Sequence, residues 1–241
     1  MVFSEKVKFP FRGLETDRLV GGRAILESLE NAAGSHADSL GDGYSPEGGS
    51  GTVWLLLDWK LSVIRRPRYG EELLVTTWSH GMERCYGSRY FELLDGDGRI
   101  TAAAASKWVL IDRASWSPAR IGEEQAASYQ SEPERPVCID PTLTRLRPPE
   151  SYELVTRCVP KRGDFDCLGH VHNTCYLDLA YEGLPESVYS LRPFDNIRIS
   201  YKKEIRPGQS LLLGYSCRDG RHTVAITGEE TGVLHAIIEM E

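Results

Sequence analysis

Residues 58–75 read DWKLSVIRRPRYGEELLV, and residues 196–213 read NIRISYKKEIRPGQSLLL. When residue 58 is aligned with residue 196, the two stretches share a serine, an arginine, a glycine and a pair of leucines. The identical pairs are Ser62 with Ser200, Arg68 with Arg206, Gly70 with Gly208, and Leu73-Leu74 with Leu211-Leu212. Self-similarity of this kind predicts an internal duplication, with one structural unit built twice in the chain.

Each half of the chain begins with a helical pattern. Ile25, Leu29, Ala32 and Ala33 recur at the spacing of one helix face, which predicts an amphipathic helix with one buried side. The second helix is predicted at about 171–183, where apolar side chains cover most of the circumference. A helix of that kind needs cover on most of its sides.

Strand patterns follow each helix, and short glycine-containing connectors separate them, as in antiparallel hairpins. The connectors lie at 95–98, 219–220 and 231–232. The predicted strands are 53–62, 71–78, 89–94 and 101–111 in the first half, and 196–203, 210–217, 222–227 and 233–240 in the second. This order predicts an α+β fold in which two antiparallel sheets each wrap around one helix.

The segments between the two halves have a different composition. Residues 112–150 include runs rich in proline, glutamate, serine and arginine, which are typical of a connection between domains. We therefore predict an N-terminal domain at 1–130, a linker at 131–150 and a C-terminal domain at 151–241. The glycine-rich stretch 41–51 lacks the Gly-Lys-Ser/Thr ending of a phosphate-binding loop and is predicted to be a flexible loop.

The composition limits the possible functions. The chain has 241 residues, 41% of them apolar and 26% charged, as in ordinary globular proteins. Its formal net charge of −7 disfavours nonspecific binding to nucleic acid or to anionic membranes. No stretch approaches the ~20 apolar residues of a membrane span, and residues 1–12 lack the apolar core of a secretory signal. We predict a cytoplasmic protein whose partner is a small molecule or another protein.

The segment 164–182 reads DFDCLGHVHNTCYLDLAYE and places polar side chains directly before the second helix. Backbone N–H groups in the first turn of a helix are unpaired, so they are suited to hold the oxyanion of a carbonyl under attack. The carboxylate of Asp166 and the imidazole of His170 lie beside this turn, which favours hydrolysis or acyl transfer. The alternative for Asp166 is that it only caps the helix.

Residues 164–176 resemble the motif Asp-x-Asp-x-Asn-x-His-Val-Asn-Asn-x-x-Tyr of the acyl-[acyl carrier protein] thioesterases of bacteria and plastids. The similarity extends over most of the chain. Further matching stretches are HADSLG (36–41), VWLLL (53–57), PRYG (67–70), TTW (76–78) and ASKWVLID (105–112). The resemblance implies a double hotdog fold, in which each antiparallel sheet wraps around a central helix, and it implies thioester hydrolase activity.

The resemblance also implies catalytic roles by position. It makes Asp166 the catalytic aspartate and His170 the catalytic histidine, and a glutamate of the family's second domain corresponds to Glu204. In the repeat alignment Glu204 is paired with Arg66, so the resemblance implies an active site in the second half only. Which of the two carboxylates acts as base or nucleophile stays open at this point.

The same motif implies a set of substrate-binding groups. The backbone N–H groups around Gly169 and Val171 are expected to hold the thioester oxygen. The side chains of His172 and Asn173 are expected to contact the substrate or to fix the entry of the helix. At Leu168 the family motif has an asparagine, so one hydrogen-bonding group is missing here.

We predict that the protein releases a fatty acid from acyl carrier protein by attack of water, with no metal and no other cofactor. A thioesterase acting on acyl-coenzyme A or on a polyketide carrier is the nearest alternative. A noncatalytic acyl-binding protein of the same fold is another, motivated by the replacement at Leu168.

Acyl carrier proteins are acidic, so docking of this acidic chain requires a local positive surface. Arg65, Arg68 and Lys203 are the predicted carrier-docking residues. The alternative is ordinary solvated charge at the sheet edges. No nucleic-acid or membrane partner is expected, and the chain is predicted to be a monomer or a homodimer.

Overall fold

The structure, a computed structural model, describes residues 1–43, 51–190 and 193–241. It divides into two compact units, Met1–Leu143 and Thr144–Glu241. The loop predicted at 41–51 falls largely outside the described residues. The finer division into two domains and a linker at 131–150 stays a prediction.

The first unit is an antiparallel sheet packed around one long helix. Its elements are β1 (Val2–Lys8), α1 (Gly22–Ser39), β2 (Thr52–Val63), β3 (Glu72–Glu83), β4 (Tyr86–Leu94), β5 (Ile100–Asp112), β6 (Ser117–Pro118) and α2 (Glu123–Ser128). The strand order is β1-β3-β4-β5-β2, and β6 pairs with the end of β5. The strand pairs β3–β4, β4–β5 and β2–β5 are all antiparallel.

Helix α1 forms the centre of this unit. Ile25, Leu26 and Leu29 have no exposed surface, and Ala32 and Ala33 continue the same buried stripe. Complete burial of each of the larger side chains stabilises the fold by about 1.5–3 kcal/mol. The amphipathic helix predicted from the sequence is confirmed.

The second unit repeats five of the six strands of the first, with no counterpart of β6 among the described residues. Its elements are β7 (Leu154–Cys158), α3 (Cys175–Glu182), α4 (Glu186–Tyr189), β8 (Asn196–Tyr201), β9 (Leu211–Arg218), β10 (Arg221–Gly228) and β11 (Leu234–Met240). The order β7-β9-β10-β11-β8 matches β1-β3-β4-β5-β2 of the first unit. Each unit therefore has the sheet-around-helix arrangement predicted for a hotdog domain.

Helix α3 begins four residues later than predicted. Its first residue is Cys175, whereas Val171 lies in an isolated antiparallel bridge with Phe165. The apolar side chain of Val171 fits the helical period, but its N–H donates to the carbonyl of Ile205 across the unit. This tertiary hydrogen bond fixes Val171 outside the helix. Within α3 the side chains of six of its eight residues are buried, as the apolar pattern predicted.

The strand predictions are confirmed in position, with two omissions that matter for the sheets. Strands β1 and β7 were not predicted, and they pair with β3 and β9 respectively. Strand β8 ends at Tyr201, two residues earlier than predicted, so Glu204 lies in an irregular stretch and strand alternation does not set its orientation. Among the helices in the described part of the chain, none is long and apolar enough to cross a membrane.

Candidate active site

A tight loop at 161–172 precedes helix α3 in the second unit. It begins with a 3₁₀ turn at Arg162–Asp164 and then folds back on itself. The N–H of Asp166 donates to the carbonyl of His170 (2.9 Å), and the N–H of Gly169 donates to the carbonyl of Asp166 (3.0 Å). Gly169 has a φ of 76°, a conformation that favours glycine. The sequence thus builds a closed turn between Asp166 and His170.

The carboxylate of Asp166 organises this turn with one of its oxygens. Its Oδ1 accepts hydrogen bonds from the N–H groups of Leu168 (2.8 Å) and His170 (3.2 Å). Its Oδ2 accepts none from any residue of the described chain, and the side chain is half-buried. The backbone N–H of Leu168 is therefore a donor to Asp166, although its side chain lacks the amide found in the family motif. The N-cap residue of α3 is Thr174, so Asp166 is not the cap of that helix.

Glu204 lies just beyond strand β8 and is half-buried. Its Oε1 forms an ion pair with the guanidinium of Arg206 at 3.1 Å. The next residue, Ile205, accepts the N–H of Val171 through its carbonyl (3.0 Å). This bond ties the stretch carrying Glu204 to the loop carrying Asp166.

Tyr176 of helix α3 connects the same two segments, and we did not single it out from the sequence. Its side chain is 3% exposed, and its hydroxyl oxygen accepts the N–H of Ile205 (3.2 Å). Burial raises the pKa of the Tyr176 phenol, and the negative charges of Glu204 and Asp166 raise it further. The Tyr176 hydroxyl thus contacts the residue that follows Glu204. The sequence signal was available, because a buried tyrosine in an apolar helix needs a partner for its hydroxyl.

The two motif residues that follow the loop have defined roles at the helix entry. The Nδ1 atom of His172 accepts the N–H of Thr174 (3.4 Å) and lies 3.1 Å from its Oγ1. An Nδ1 atom that accepts leaves the ring proton on Nε2. The backbone carbonyl of Asn173 accepts the hydroxyl of Tyr201 on β8 (2.9 Å). The His172 ring is therefore held at the helix entry through Nδ1, while Asn173 anchors the start of the helix to the sheet.

The backbone N–H groups predicted to hold the thioester oxygen are already engaged. The N–H of Gly169 donates to Asp166, that of His170 to the Asp166 carboxylate, and that of Val171 to Ile205. The expectation of free donors rested on a helix start at Val171, which is wrong. These three N–H groups are therefore not free to hold the thioester oxygen.

The predicted docking residues differ in whether a carboxylate pairs with their positive charge. The guanidinium of Arg65 forms two hydrogen bonds with Glu71 (3.1 and 2.6 Å) and lies 3.4 Å from Asp95. Its charge is compensated, because carboxylates flank it on two sides. The exposed side chains of Arg68 and Lys203 form no ion pair with any residue that the structure describes.

Residues 10–21 of the first unit form a structural copy of the loop at 161–172. It has the same 3₁₀ turn, at Phe11–Gly13, and the same isolated bridge, between Leu14 and Val20. Arg18 has a φ of 67° at the position of Gly169. The matching backbone hydrogen bonds are Glu15 N–H to Leu19 (2.8 Å), Arg18 N–H to Glu15 (2.9 Å), Val20 N–H to Pro67 (2.9 Å) and Gly21 N–H to Gly13 (2.9 Å).

The side chains of this copy are different. Glu15 stands at the position of Asp166, but Leu19 and Gly21 replace the two histidines, and Arg66 replaces Glu204. Ile25 stands where the second unit has Tyr176. The first unit therefore has the same loop backbone but lacks the second carboxylate, the imidazoles and the phenol.

A metal site needs several clustered ligands. Within residues 1–43, 51–190 and 193–241, no group of three or more His, Cys, Asp or Glu side chains is arranged to hold a metal ion. The loop at 161–172, the start of α3 and the stretch at Glu204 carry the Asp166 and Glu204 carboxylates, two imidazoles and a phenol, groups that suit proton transfer and hydrolysis.

Two family models match this chain in succession. The model described as the acyl-ACP thioesterase N-terminal domain matches residues 1–129, and that of the C-terminal domain matches residues 149–239. Among curated relatives, oleoyl-acyl carrier protein thioesterase 2 of Arabidopsis thaliana is 22% identical, over 84% of this chain and 60% of the relative. Dodecanoyl-[acyl-carrier-protein] hydrolase of Cinnamomum camphora is 25% identical, over 81% and 55%. The chain thus spans little more than half the length of these relatives.

Solved structures share the whole fold. An acyl-ACP thioesterase from Bacteroides thetaiotaomicron VPI-5482 superposes with a TM-score of 0.88 at 20% identity, covering 99% of this chain and 96% of that one. The 12:0-ACP thioesterase from Umbellularia californica gives 0.83 at 19% identity, covering 100% and 96%. These likenesses confirm the tandem hotdog fold.

Proposed function

Because this chain belongs to the acyl-ACP thioesterase family, we propose that it hydrolyses the thioester of an acyl carrier protein and releases a free fatty acid. The observation that carries this proposal is the meeting of two carboxylate-bearing segments around Tyr176 in the second unit. The curated relatives bear names as thioesterases or hydrolases of acyl carrier proteins, which supports the same substrate class.

Asp166 is the proposed general base. Its Oδ1 is held by two backbone N–H groups, which leaves Oδ2 to accept a proton from water. The water oxygen then bonds to the thioester carbon, and the carbonyl oxygen takes up negative charge. Glu204, with its Oε1 held by Arg206, orients the same water through its second oxygen.

The oxyanion needs a positioned donor in place of the backbone N–H groups. The Nε2–H of His172 is the donor we assign to it, because the ring is held at Nδ1 and has no Nε2 partner among the described residues. A preorganised donor of this kind stabilises a developing oxyanion. Asn173 fixes the helix entry that carries this imidazole, through its carbonyl bond to Tyr201.

Collapse of the tetrahedral intermediate breaks the carbon–sulfur bond. A thiolate is a good leaving group, so its protonation contributes least to the barrier. The proton that Asp166 took from water passes to His170, and we assign His170 to deliver it to the thiolate sulfur, which returns both side chains to their starting state. The position of His170 in the loop is fixed by the turn that Asp166 closes. The products are the fatty acid and the free thiol of the carrier, and no metal or other cofactor enters these steps.

The test of this function is a substrate panel. One acyl chain is presented as a thioester of acyl carrier protein, of coenzyme A and of pantetheine, and thiol release is measured for each. We expect the highest kcat/KM on the carrier protein. Equal or faster turnover of the coenzyme A thioester would identify that alternative as the substrate. Binding of the acyl carrier without thiol release would identify a noncatalytic acyl-binding protein.

The carrier is proposed to dock on exposed cations beside the catalytic loop. Lys161 and Arg162 begin this loop, and Lys203 immediately precedes Glu204. None of the three side chains has an ion-pair partner among the described residues, and together they complement an acidic protein. Arg68 of the first unit remains a further candidate. Arg65 is left out, since Glu71 and Asp95 compensate its charge.

Charge reversal tests this docking surface. The double variant Arg162→Glu and Lys203→Glu is expected to raise KM for the carrier substrate about tenfold, because an attraction becomes a repulsion. The KM for the pantetheine thioester should stay unchanged. The matched control is Arg84→Glu with Arg120→Glu, which changes the net charge equally at two exposed residues of the first unit. Equal effects of the two double variants would remove the proposed surface.

Two further proposals concern the oligomeric state and the location of the protein. A monomer or a homodimer remains the prediction for solution. The cytoplasm remains the proposed location, whereas the curated relatives quoted above are named as chloroplastic proteins.

A further inference from the structure

The peptide group before Ile205 is held by a contact that the catalytic motif alone does not explain. The buried phenol of Tyr176 accepts the N–H of Ile205 at 3.2 Å, and the N–H of Val171 donates to the Ile205 carbonyl at 3.0 Å. Ile205 directly follows Glu204 in the chain. Helix α3 and the loop at 161–172 therefore each form a hydrogen bond with the backbone of Ile205, the residue next to Glu204.

The ring of Tyr176 is itself fixed. It packs edge-on against Tyr201, with ring centroids 5.1 Å apart, and only 3% of the residue is exposed. The negative charges of Glu204 and Asp166 contribute to the raised pKa of the phenol. Because the side chain cannot turn away without losing this packing, its hydroxyl is held at the Ile205 amide.

The copy of the loop in the first unit shows that the fold does not need this contact. Pro67 stands at the position of Ile205 and has no N–H, and Ile25 stands at the position of Tyr176 and has no hydroxyl. The other interaction at this point is kept, because the N–H of Val20 donates to the carbonyl of Pro67 at 2.9 Å. Both partners of the phenol bond are thus absent from the copy that has Arg66 instead of a second carboxylate.

We infer that Tyr176 is a positioning residue: its hydroxyl holds the Ile205 amide so that the Glu204 carboxylate stays beside Asp166 at the proposed site. This inference rests on the proposed hydrolase function. Tyr176 acts through the backbone of Ile205, so its loss affects turnover by displacing Glu204. Substrate binding through the acyl chain and the carrier is expected to continue.

A double-mutant cycle tests the inference. Tyr176→Phe removes the acceptor, and Ile205→Pro removes the donor while keeping the carbonyl, as Pro67 does in the copy. Each single variant is expected to lower kcat about tenfold, the effect of one hydrogen bond, with KM changed less than twofold. The double variant should lose no more than either single variant, because both changes remove the same bond. Losses that multiply to about a hundredfold would overturn the inference, as would an unchanged kcat for Tyr176→Phe.

The matched control is Tyr215→Phe. Tyr215 is 2% exposed and its hydroxyl lies 2.9 Å from Nδ1 of His222 in the same unit, so a comparable buried phenol bond is lost. Its kcat is expected to equal that of the wild type. If Tyr215→Phe lowered kcat as much as Tyr176→Phe, a general loss of rigidity would explain both results and the positioning role would be rejected.

A second measurement keeps the inference separate from the proposed function. Amide hydrogen exchange of Ile205 is expected to become about tenfold faster in Tyr176→Phe and to stay unchanged in Tyr215→Phe. This readout needs no turnover. A wild type that hydrolyses no thioester would defeat the proposed function, whereas unchanged exchange at Ile205 would defeat the positioning role.

Discussion

The loops at 10–21 and 161–172 are two versions of one structure. Both start with a 3₁₀ turn, both close with an isolated bridge, and both place a left-handed residue at the same point. Their backbone hydrogen bonds agree to within 0.1 Å at all four shared positions, for example 2.9 and 3.0 Å for the bonds to Pro67 and Ile205. The loop is therefore a feature of the fold, since it forms with and without the side chains of the proposed site.

The difference between the copies lies in a few side chains. The second unit has two carboxylates, two imidazoles and a phenol where the first has one carboxylate, an arginine and apolar residues or glycine. A water molecule beside Glu15 and Arg66 would face one acid and one permanent cation, whereas Asp166 and Glu204 present two acids. The two loops therefore share a backbone but differ at the side chains to which we assign the chemistry.

The largest effect is expected when Glu204 is replaced by arginine, the residue found at the equivalent position 66 of the first unit. Glu204→Arg should lower kcat by about 10³-fold, because it removes one acid and places a cation beside Asp166. Steady-state hydrolysis of the carrier thioester measures it. Glu204→Gln is the matched variant of similar volume, and its smaller loss separates the missing acid from the added charge. Retention of more than half of the wild-type kcat by Glu204→Arg would remove Glu204 from the mechanism.

An intermediate effect is expected at the proposed oxyanion donor. His172→Gly introduces the residue that the copy has at Gly21 and should lower kcat about 10²-fold, the cost of one preorganised donor. His172→Asn restores a side-chain amide, the group found in the family motif, and should recover part of the loss. If both variants turned over like the wild type, the Nε2–H of His172 would have no part in the reaction.

The smallest effect is expected at the left-handed residue. Gly169→Ala places a Cβ in open space, so the cost is only the unfavourable φ, about 1 kcal/mol of unfolding free energy. Arg18 accepts the same conformation in the copy. Chemical denaturation measures the stability, and kcat should change less than twofold because the N–H of Gly169 is already bonded. A large loss of kcat without a loss of stability would return Gly169 to the substrate-binding groups.

Much of the fold could be predicted from the sequence, because it depends on local patterns. The stripe of α1, the strand alternation and the glycine turns at 95–98 and 219–220 all act over short distances. Within the part of the chain that the structure describes, the strands that escaped prediction, β1 and β7, each pair with one other strand of their own unit, and all of their residues are partly or fully exposed. Such strands carry a weak hydrophobic pattern, so only their pairing reveals them.

The site was predicted less completely, because it depends on tertiary hydrogen bonds. Val171 has the spacing of a helical residue, yet its N–H is taken by Ile205, and this moved the helix start and removed the expected oxyanion donors. The sequence shows that Arg65 is charged, but it does not show that Glu71 and Asp95 compensate that charge. Tyr176 was read as part of an apolar surface, since its bond to Ile205 joins residues far apart in the chain.

The central claim is that one copy of the loop carries the chemistry and the other carries only the fold. It is tested most directly by replacing the equivalent carboxylates one at a time, as Asp166→Asn and Glu15→Gln, and measuring kcat on an acyl carrier thioester. Thermal unfolding of both variants serves as the control for folding. Asp166→Asn is expected to lower kcat by about 10³-fold, whereas Glu15→Gln is expected to leave it unchanged. Equal losses in the two variants, or full activity of Asp166→Asn, would contradict the claim.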